Sequence, residues 1–153
     1  MKKNQKVLFL DDNPKRIASF KVRMPTAFVA VRAADAINIL KNQGRKSKKS
    51  PIGEWDMLFL DQNLWRNGGK DTGMEVVEWV LANKPIIKQV FIHSHDMPAS
   101  IRMEQKLKAA GYSVVAEPYW LFDPLEALTG KYQPQFDRKR GGLSGKLSYR
   151  QLD

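Results

Sequence analysis

The sequence predicts an α/β fold in which a five-stranded parallel sheet is sandwiched by helices and followed by a basic carboxyl-terminal tail. Short apolar segments alternate with segments whose apolar residues recur at helical spacing. The apolar segments are almost wholly hydrophobic, as expected of parallel strands covered on both faces. The 153 residues, 42% of them hydrophobic, suit one domain with one core. We expect the domain to span residues 1–129 and a loosely ordered tail to span 130–153.

The strand and helix segments can be placed along the chain. The strand segments are Lys6–Leu10, Thr26–Val31, Trp55–Leu60, Val90–Ile92 with a start nearer Ile87, and Tyr112–Ala116. Pro14 can begin the first helix because its fixed φ suits a first helical position. The other helix segments are Ala33–Leu40, a helix with Met74, Val77, Val80 and Leu81 on one face, Ala99–Ala110, and a short helix at Pro124–Leu128.

The amino-acid composition narrows the chemistry that the chain can perform. Cysteine is absent, which excludes disulfides, thiolate metal sites and cysteine nucleophiles. A bound metal must therefore take carboxylate, imidazole, amide or water ligands. No apolar run approaches the roughly 20 residues of a membrane-spanning helix, and the amino terminus lacks the pattern of a signal peptide. We expect a cytoplasmic protein with no membrane partner.

Positive charge is distributed unevenly along the chain. The net charge is +10; residues 44–50 read GRKSKKS, and six Lys or Arg stand against two Asp from Lys131 to the end. Such segments attract polyanions, including nucleic acid, nucleotides and acidic protein surfaces. The same charges also suit solvated loops that keep a protein soluble. Residues 44–50 and 131–153 are therefore candidate surfaces for a nucleic acid or an acidic protein.

Polar side chains collect where the predicted strands end. The carboxyl ends of the strands in an open parallel sheet form the edge at which ligands bind. The residues at these ends are Asp11 and Asp12 after the first strand, Asp61 after the third, His93, Ser94, His95 and Asp96 after the fourth, and Glu117 after the fifth. The sequence thus predicts a functional site at this edge.

Asp11, Asp12 and Asp61 are predicted to bind a divalent metal ion. Carboxylates held within a few ångströms of one another repel unless a cation lies among them. Oxygen ligands of this kind suit Mg²⁺, or Mn²⁺ in its place. Asp11 and Asp12 also suit the cap of the first helix, but capping does not account for Asp61.

The two histidines of the chain flank Ser94. Alternate residues of a strand point the same way, so His93 and His95 can face one side while Ser94 faces the other. A histidine can act near neutral pH as a general acid, a general base or a metal ligand. Each can equally be a core residue that hydrogen-bonds to the backbone. A Ser-His-Asp triad has weak support because no Gly-x-Ser-x-Gly turn surrounds Ser94.

Further side chains are candidates for contact with a substrate. The predicted substrate-binding residues are Arg32, Asn63, His95 and Arg102. Each guanidinium can hold a phosphate through two hydrogen bonds, although each also suits an exposed surface position. Among the tryptophans, Trp65 and Trp120 lie in loops at the same edge and can stack on a base, whereas Trp55 and Trp79 are expected to pack against the sheet.

The segments LFLDDN at 8–13 and LFLDQN at 58–63, with a serine after the fourth strand and a proline after the fifth, resemble a response-regulator receiver domain. The resemblance implies a receiver-like, flavodoxin-like sheet. It makes Asp11 and Asp12 the acidic pair and Asp61 the phosphoacceptor. Glu117 stands where receivers carry a lysine. An anion thus replaces a cation, which implies altered phosphorylation at Asp61.

The sequence is more similar to the receiver-like domains predicted to process cyclic phosphates. Their pattern has an LDD start, an arginine ending the second strand, an LDHDL-like third strand, a Thr-Gly before the next helix and a His-Ser at the fourth strand. The corresponding residues here are Leu10–Asp12, Arg32, 60–64 (LDQNL), Thr72-Gly73 and His93-Ser94. Gln62 and Asn63 replace the usual His and Asp, which removes one carboxylate. The similarity spans about residues 6–118.

This resemblance implies a metal-dependent phosphoesterase-like or nucleotide-phosphate-binding protein that acts on a cyclic nucleotide or a 2′,3′-cyclic RNA end. Asp11, Asp12 and Asp61 would hold Mg²⁺ and Arg32 would neutralise the phosphate. The implied catalytic set is His93, Ser94 and Asp12, with His93 protonating the leaving oxygen or orienting water and Ser94 donating to the phosphate. Two alternatives remain: a stand-alone signalling or adaptor module, and a basic nucleic-acid or protein-binding factor on a receiver scaffold.

Overall fold

Strands and helices alternate along the chain in the computed structural model, which describes residues 5–64, 71–94, 96–118, 136–137 and 142–143. The strands are β1 (Val7–Leu10), β2 (Phe28–Ala30), β3 (Arg45–Ser47), β4 (Ser50–Leu60), β5 (Ile86–His93), β6 (Val114–Glu117), β7 (Phe136–Asp137) and β8 (Gly142–Leu143). The helices are α1 (Pro14–Arg23), α2 (Ala33–Gln43), α3 (Gly73–Asn83) and α4 (Met97–Ala109). Strands β7 and β8 pair with each other in antiparallel orientation.

Five strands form a parallel sheet in the order β2-β1-β4-β5-β6. Leu8 of β1 lies opposite Phe28 of β2 and Leu58 of β4, and Leu58 lies opposite Val90 of β5. The chain moves from β1 to β2 on one side and then crosses to β4 on the other, so the strand order reverses between β1 and β4. Ligand sites in open α/β sheets form at such a reversal. The predicted five-stranded parallel sheet is confirmed.

Alternation along the strands divides the core between the two faces of the sheet. Leu8 and Leu10 of β1 face helices α2, α3 and α4, which bury Leu40, Val77 and Leu107 in the same cluster. Phe9, between those leucines in the sequence, faces α1, whose Phe20 stacks on it with ring centroids 4.1 Å apart. Helices therefore cover both faces of the sheet, as the apolar strands require.

Residues 44–50 depart from the loop that their composition predicts. Arg45–Ser47 forms β3, which pairs antiparallel with the beginning of β4, and β4 starts at Ser50 rather than at Trp55. A strand paired in this way needs no apolar alternation, because backbone hydrogen bonds and side-chain ion pairs hold it. The Arg45 guanidinium lies 2.8 Å from the Asp56 carboxylate. The sheet thus gains an antiparallel sixth strand.

The tryptophans that the structure describes lie where the sequence predicted. Trp55 is fully buried and its indole N–H donates to the carbonyl of Leu40 at 3.2 Å, and Trp79 packs partly buried against the same core. Trp65, Trp120, the predicted helix Pro124–Leu128 and most of the tail at 130–153 lie outside the described residues. Within the described chain, the helices are too short or too polar to span a membrane.

Asp56 binds Arg45 of the hairpin that β3 forms with the start of β4, and removal of its carboxylate should destabilise the fold. Its carboxylate accepts hydrogen bonds from the backbone N–H of Lys6 and the guanidinium of Arg45, both at 2.8 Å, and Lys88 lies 3.1 Å away. Burial favours the neutral acid, but these donors outweigh it and lower the pKa of Asp56. We expect Asp56→Asn to lower the free energy of unfolding in urea by about 1–3 kcal/mol at neutral pH.

The pH dependence of this loss gives a sharper test. Because the folded pKa lies below the unfolded value, the carboxylate stabilises the fold above the unfolded value of 3.8 and loses this effect as the pH falls through the folded pKa. The difference between wild type and Asp56→Asn should therefore narrow in acid. Asp35→Asn, a change at an exposed carboxylate, is the control. A difference that stays constant with pH would contradict this assignment.

Candidate functional site

The carboxyl ends of the strands bring the polar clusters to one edge of the sheet. Asp11 and Asp12 follow β1, and Asp61 follows the adjacent strand β4, so the strand-order reversal lies between them. The Asp61 N–H donates to the carbonyl of Leu10 at 3.0 Å, which ties the two strand ends together. His93 ends β5 and lies opposite Glu117 of β6. The strand ends that carry the predicted site residues are therefore neighbours in the sheet.

Asp11, Asp12 and Asp61 form a buried acidic cluster. Their exposed fractions are 0%, 7% and 2%, and one carboxylate oxygen of each lies within 4.8 Å of the others. Anionic oxygens at this spacing are suitable ligands for a hard divalent cation. Burial beside like charges is also unfavourable without a cation. The three residues therefore fit a metal site, and the donor set alone does not select the metal.

Asn13 settles the competing explanation that the aspartates cap α1. Its side-chain oxygen accepts hydrogen bonds from the N–H groups of Lys15 and Arg16, at 2.9 and 3.3 Å, which is the geometry of a helix cap. Asp11 in turn accepts from the N–H of Asn13 at 2.8 Å. The cap is thus Asn13, and the acidic pair points into the cluster.

Arg16 reaches into the acidic cluster, a contact that the sequence interpretation missed. Its Nη2 donates to Asp11 Oδ1 at 2.9 Å and to Asp61 Oδ2 at 3.1 Å, and its Nε lies 2.9 Å from Asp11 Oδ2. A signal was present in the spacing. Arg16 precedes Phe20 by four residues, which places it on the face of α1 that packs against the sheet.

His93 is fully buried and contacts Asp11. Its ring stacks on Phe9 at 4.9 Å between centroids, and its Nε2 lies 3.2 Å from Asp11 Oδ2. Burial lowers the pKa of His93 below its usual value, against the effect of Asp11. The imidazole is thus neutral at neutral pH. An ionised carboxylate can only accept a hydrogen bond. Nε2 therefore carries the ring proton and donates a hydrogen bond to Asp11.

The two central carboxyl groups differ in acidity. Burial alone would raise the pKa of Asp11, but hydrogen bonds from His93, Arg16 and the Asn13 N–H lower it below its usual range. Burial and the charge of Asp11 raise the pKa of Asp61 to about 8, although Arg16 opposes this. In the absence of metal, Asp11 is therefore ionised and Asp61 is largely protonated near neutral pH.

Gly73, the first residue of α3, is at a position where sterics favour glycine. A Cβ on Gly73 would lie 2.2 Å from the carbonyl oxygen of Asp61, which is a steric clash between non-bonded atoms. The Gly73 N–H donates to the Gln62 carbonyl at 3.0 Å, and Asn63 forms a bridge to Thr72. The start of α3 therefore packs directly on the backbone that carries Asp61.

The other predicted site residues lie at varied distances from this centre. The Ser94 hydroxyl is buried and accepts from the Asp96 N–H at 3.2 Å, and the Asn63 N–H donates to Asp61 Oδ1 at 3.2 Å. Arg32 and Arg102 are exposed, so the cation that contacts the acidic cluster is Arg16 and neither of these predicted arginines. His95 lies outside the described residues.

Comparisons with known proteins support a receiver-like fold. A family model described as "Cyclic-phosphate processing Receiver domain" matches residues 6–109. Among solved structures, a de novo designed Rossmann 2x3 fold protein, determined by solution NMR, is similar with a TM-score of 0.50 and 16% identity. The similarity covers 87% of this chain and 96% of the designed one, and at this identity it concerns the fold alone. No curated protein gave a significant match.

The acidity of Asp61 predicts a loss of stability as the pH rises. An acid whose folded pKa is raised stabilises the fold below its unfolded pKa, and this contribution is lost as the pH rises from 3.8 through about 8. Asp61→Asn cannot ionise. In EDTA at pH 8, Asp61→Asn should have a higher melting temperature than wild type, by about 2–4 °C for each kcal/mol of folding stability that it regains. The difference in melting temperature should disappear toward pH 4.

Circular dichroism melts across this pH range would measure the effect. Asp35→Asn, which changes an exposed carboxylate on α2, should show no comparable pH-dependent difference. An Asp61→Asn variant that melts below wild type at pH 8 without metal would contradict the raised pKa.

The contact of Gly73 with Asp61 predicts that a methyl group here disturbs the site. Gly73→Ala should lose about 1–3 kcal/mol of stability or more, because the backbone must move. It should also change the pH titration of the Asp61 carboxyl carbon, followed by NMR. Gly111→Ala is the control. The backbone φ of Gly111 is +95°, which strains an alanine, but a Cβ at this position meets no atom within 4 Å. An unchanged Asp61 titration in Gly73→Ala would contradict the steric explanation.

Proposed function

The chain belongs to the family of cyclic-phosphate processing receiver domains, and from this premise we propose that it binds a divalent cation and processes a cyclic phosphate on a nucleotide or an RNA end. The observation that carries the proposal is the buried acidic cluster, with three ligand oxygens within 4.8 Å. Such a cluster, placed at the strand-order reversal, is suited to a cation that in turn attracts a phosphate.

Asp11, Asp12 and Asp61 would hold the cation, either Mg²⁺ or Mn²⁺. When bound, such an ion would offset the charge of the phosphate and lower the pKa of a coordinated water. The raised pKa of Asp61 supports this assignment, because a carboxyl group kept protonated by neighbouring charge is one whose ionised form a cation would stabilise. Asp12 is the most exposed of the three, which suits it to accept a proton from the attacking water.

His93 would act on the site through Asp11. The ring is fully buried, stacked on Phe9 and hydrogen-bonded to Asp11 Oδ2, so its contacts orient that carboxylate. We assign it a positioning role, in preference to direct protonation of the leaving oxygen. A neutral ring fixed by stacking holds a metal ligand in place in the way that outer-shell partners do at other metal sites.

The phosphate itself would be held by neutral donors and by an arginine at the edge. Ser94 follows β5 beside His93, and its hydroxyl proton would donate to a phosphate oxygen. Arg32 lies at the start of α2, where its exposed guanidinium would offer two parallel donors. Asn63, whose N–H already binds Asp61, would contribute its amide, and Arg102 and His95 complete the proposed substrate-binding set.

The two alternative functions remain predictions. A phosphorelay through Asp61 is disfavoured by Glu117, a buried acid opposite His93 that stands where receivers carry a lysine. The basic hairpin of β3 offers Lys46, Lys48 and Lys49 in exposed positions. It lies at the opposite end of β4 from Asp61, about 30 Å away along an extended strand, and so would suit a long polyanion better than a mononucleotide.

Calorimetry of metal and nucleotide binding would test the proposal. Wild type should bind Mn²⁺ or Mg²⁺, and 2′,3′-cyclic AMP should strengthen that binding, because the two ligands carry opposite charges at one site. Asp61→Asn should weaken metal binding about tenfold or more, because it removes an anionic ligand. Glu78→Gln, an equal charge change at an exposed carboxylate in the middle of α3, should bind as wild type does.

Chromatography of the products would then test processing. A metal-dependent conversion of the cyclic phosphate to a monoester, lost in Asp61→Asn, is the expected result. The panel should include 2′,3′-cyclic and 3′,5′-cyclic nucleotides and a short RNA with a 2′,3′-cyclic end. If none of these is bound or opened in the presence of either metal, the proposed function is wrong.

A further inference from the structure

We propose that Arg16 is the resident counter-ion of the acidic cluster and that a divalent cation must displace its guanidinium, so that Arg16 sets how tightly the site binds metal. This inference deepens the proposed function and rests on it. It assigns a role to a residue that lies outside the site predicted from the sequence.

The guanidinium contacts two of the three carboxyl groups that would hold a metal. Nη2 bridges Asp11 Oδ1 and Asp61 Oδ2, and Nε lies 2.9 Å from Asp11 Oδ2. Both oxygens of Asp11 and one oxygen of Asp61 are thus engaged by a single cationic group. A metal coordinated by these two carboxyl groups would lie close to the guanidinium, and the repulsion between the two cations would oppose keeping both in place.

The charge of Arg16 cannot be removed by a change of pH. A guanidinium stays protonated throughout the accessible pH range, unlike a lysine or histidine in the same place. Its fork of donors also matches two carboxylates at once. Arg16 therefore keeps its positive charge beside Asp11 and Asp61 throughout this range.

Displacement requires only the side chain of Arg16 to move. Its backbone N–H is fixed by the Asn13 cap, and the next turn of α1 is anchored by Phe20 against Phe9. The Arg16 side chain is 15% exposed, whereas Asp11 and Asp61 are almost wholly buried. A long side chain with one side toward solvent can swing outward by rotation about its own bonds, without movement of the helix.

Calorimetric titration of Mn²⁺ into metal-free protein would test the inference. Arg16→Met keeps an unbranched apolar stem and removes the guanidinium with its charge, and it should bind Mn²⁺ at least about tenfold more tightly than wild type, a gain of about 1.4 kcal/mol. Lys15→Gln is the matched control, because it removes one positive charge from the same helical turn at an exposed position. Its affinity should change by less than about threefold, as expected of a screened surface charge.

The outcomes separate this inference from the proposed function. Tighter binding by Arg16→Met supports the inference, whether or not wild type itself binds Mn²⁺ measurably; if wild type does not bind, only the proposed metal function fails. Equal or weaker binding by Arg16→Met, with measurable binding by wild type, leaves the proposed function standing and overturns the inference. Absence of binding in both proteins overturns both.

A measurement on the wild-type protein does not depend on how the variant folds. In ¹⁵N-labelled protein, the Nε–H signal of Arg16 should shift or broaden during a titration with Mg²⁺, with the midpoint that calorimetry gives for Mg²⁺ binding. The Nε–H signal of Arg23, an exposed arginine at the far end of α1, serves as the internal reference. An Arg16 signal that stays unchanged at saturating Mg²⁺ would overturn the inference.

Discussion

The mutual repulsion of three carboxyl groups, buried where β1 and β4 end side by side, is the constraint on which the rest of this structure depends. Burial removes the water that would otherwise screen these charges. Surrounding groups donate hydrogen bonds to Asp11 and Asp61. These donors are the Arg16 guanidinium, the His93 imidazole and the backbone N–H groups of Asn13 and Asn63. Several otherwise unrelated elements are thus fixed in place by one electrostatic requirement.

The sequence predicted the site to the extent that it follows from the sheet. Parallel strands deliver their carboxyl ends to one edge, so Asp11, Asp61 and His93 could be placed together from their positions after apolar segments. Arg16 was missed because its neighbour depends on how α1 docks, which is a tertiary property, and an arginine near a helix start suits the surface equally well. The β3 strand was missed because its polar residues carry no hydrophobic alternation; ion pairs with Asp56 secure it instead.

The fold separates charge between its two ends. The acidic cluster lies at the carboxyl ends of the strands, whereas Asp56, nearer the amino ends of β4 and β5, forms ion pairs with Arg45 and Lys88. Each end contains a buried or nearly buried aspartate that is matched by cations, but with opposite results. Asp56 meets enough donors to lower its pKa, whereas Asp61 faces another carboxylate and keeps its proton.

The contact between Gly73 and the Asp61 carbonyl has a consequence for how such a domain can diversify. The position of Asp61 is set by backbone packing at the start of α3 and by the hydrogen bond from the Asp61 N–H to the Leu10 carbonyl. The side chains of Gln62 and Asn63 take no part in those two contacts. Substitution at these two positions can therefore alter which ligands the domain prefers while the scaffold under the acidic cluster is inherited unchanged, so that selectivity and architecture can evolve separately.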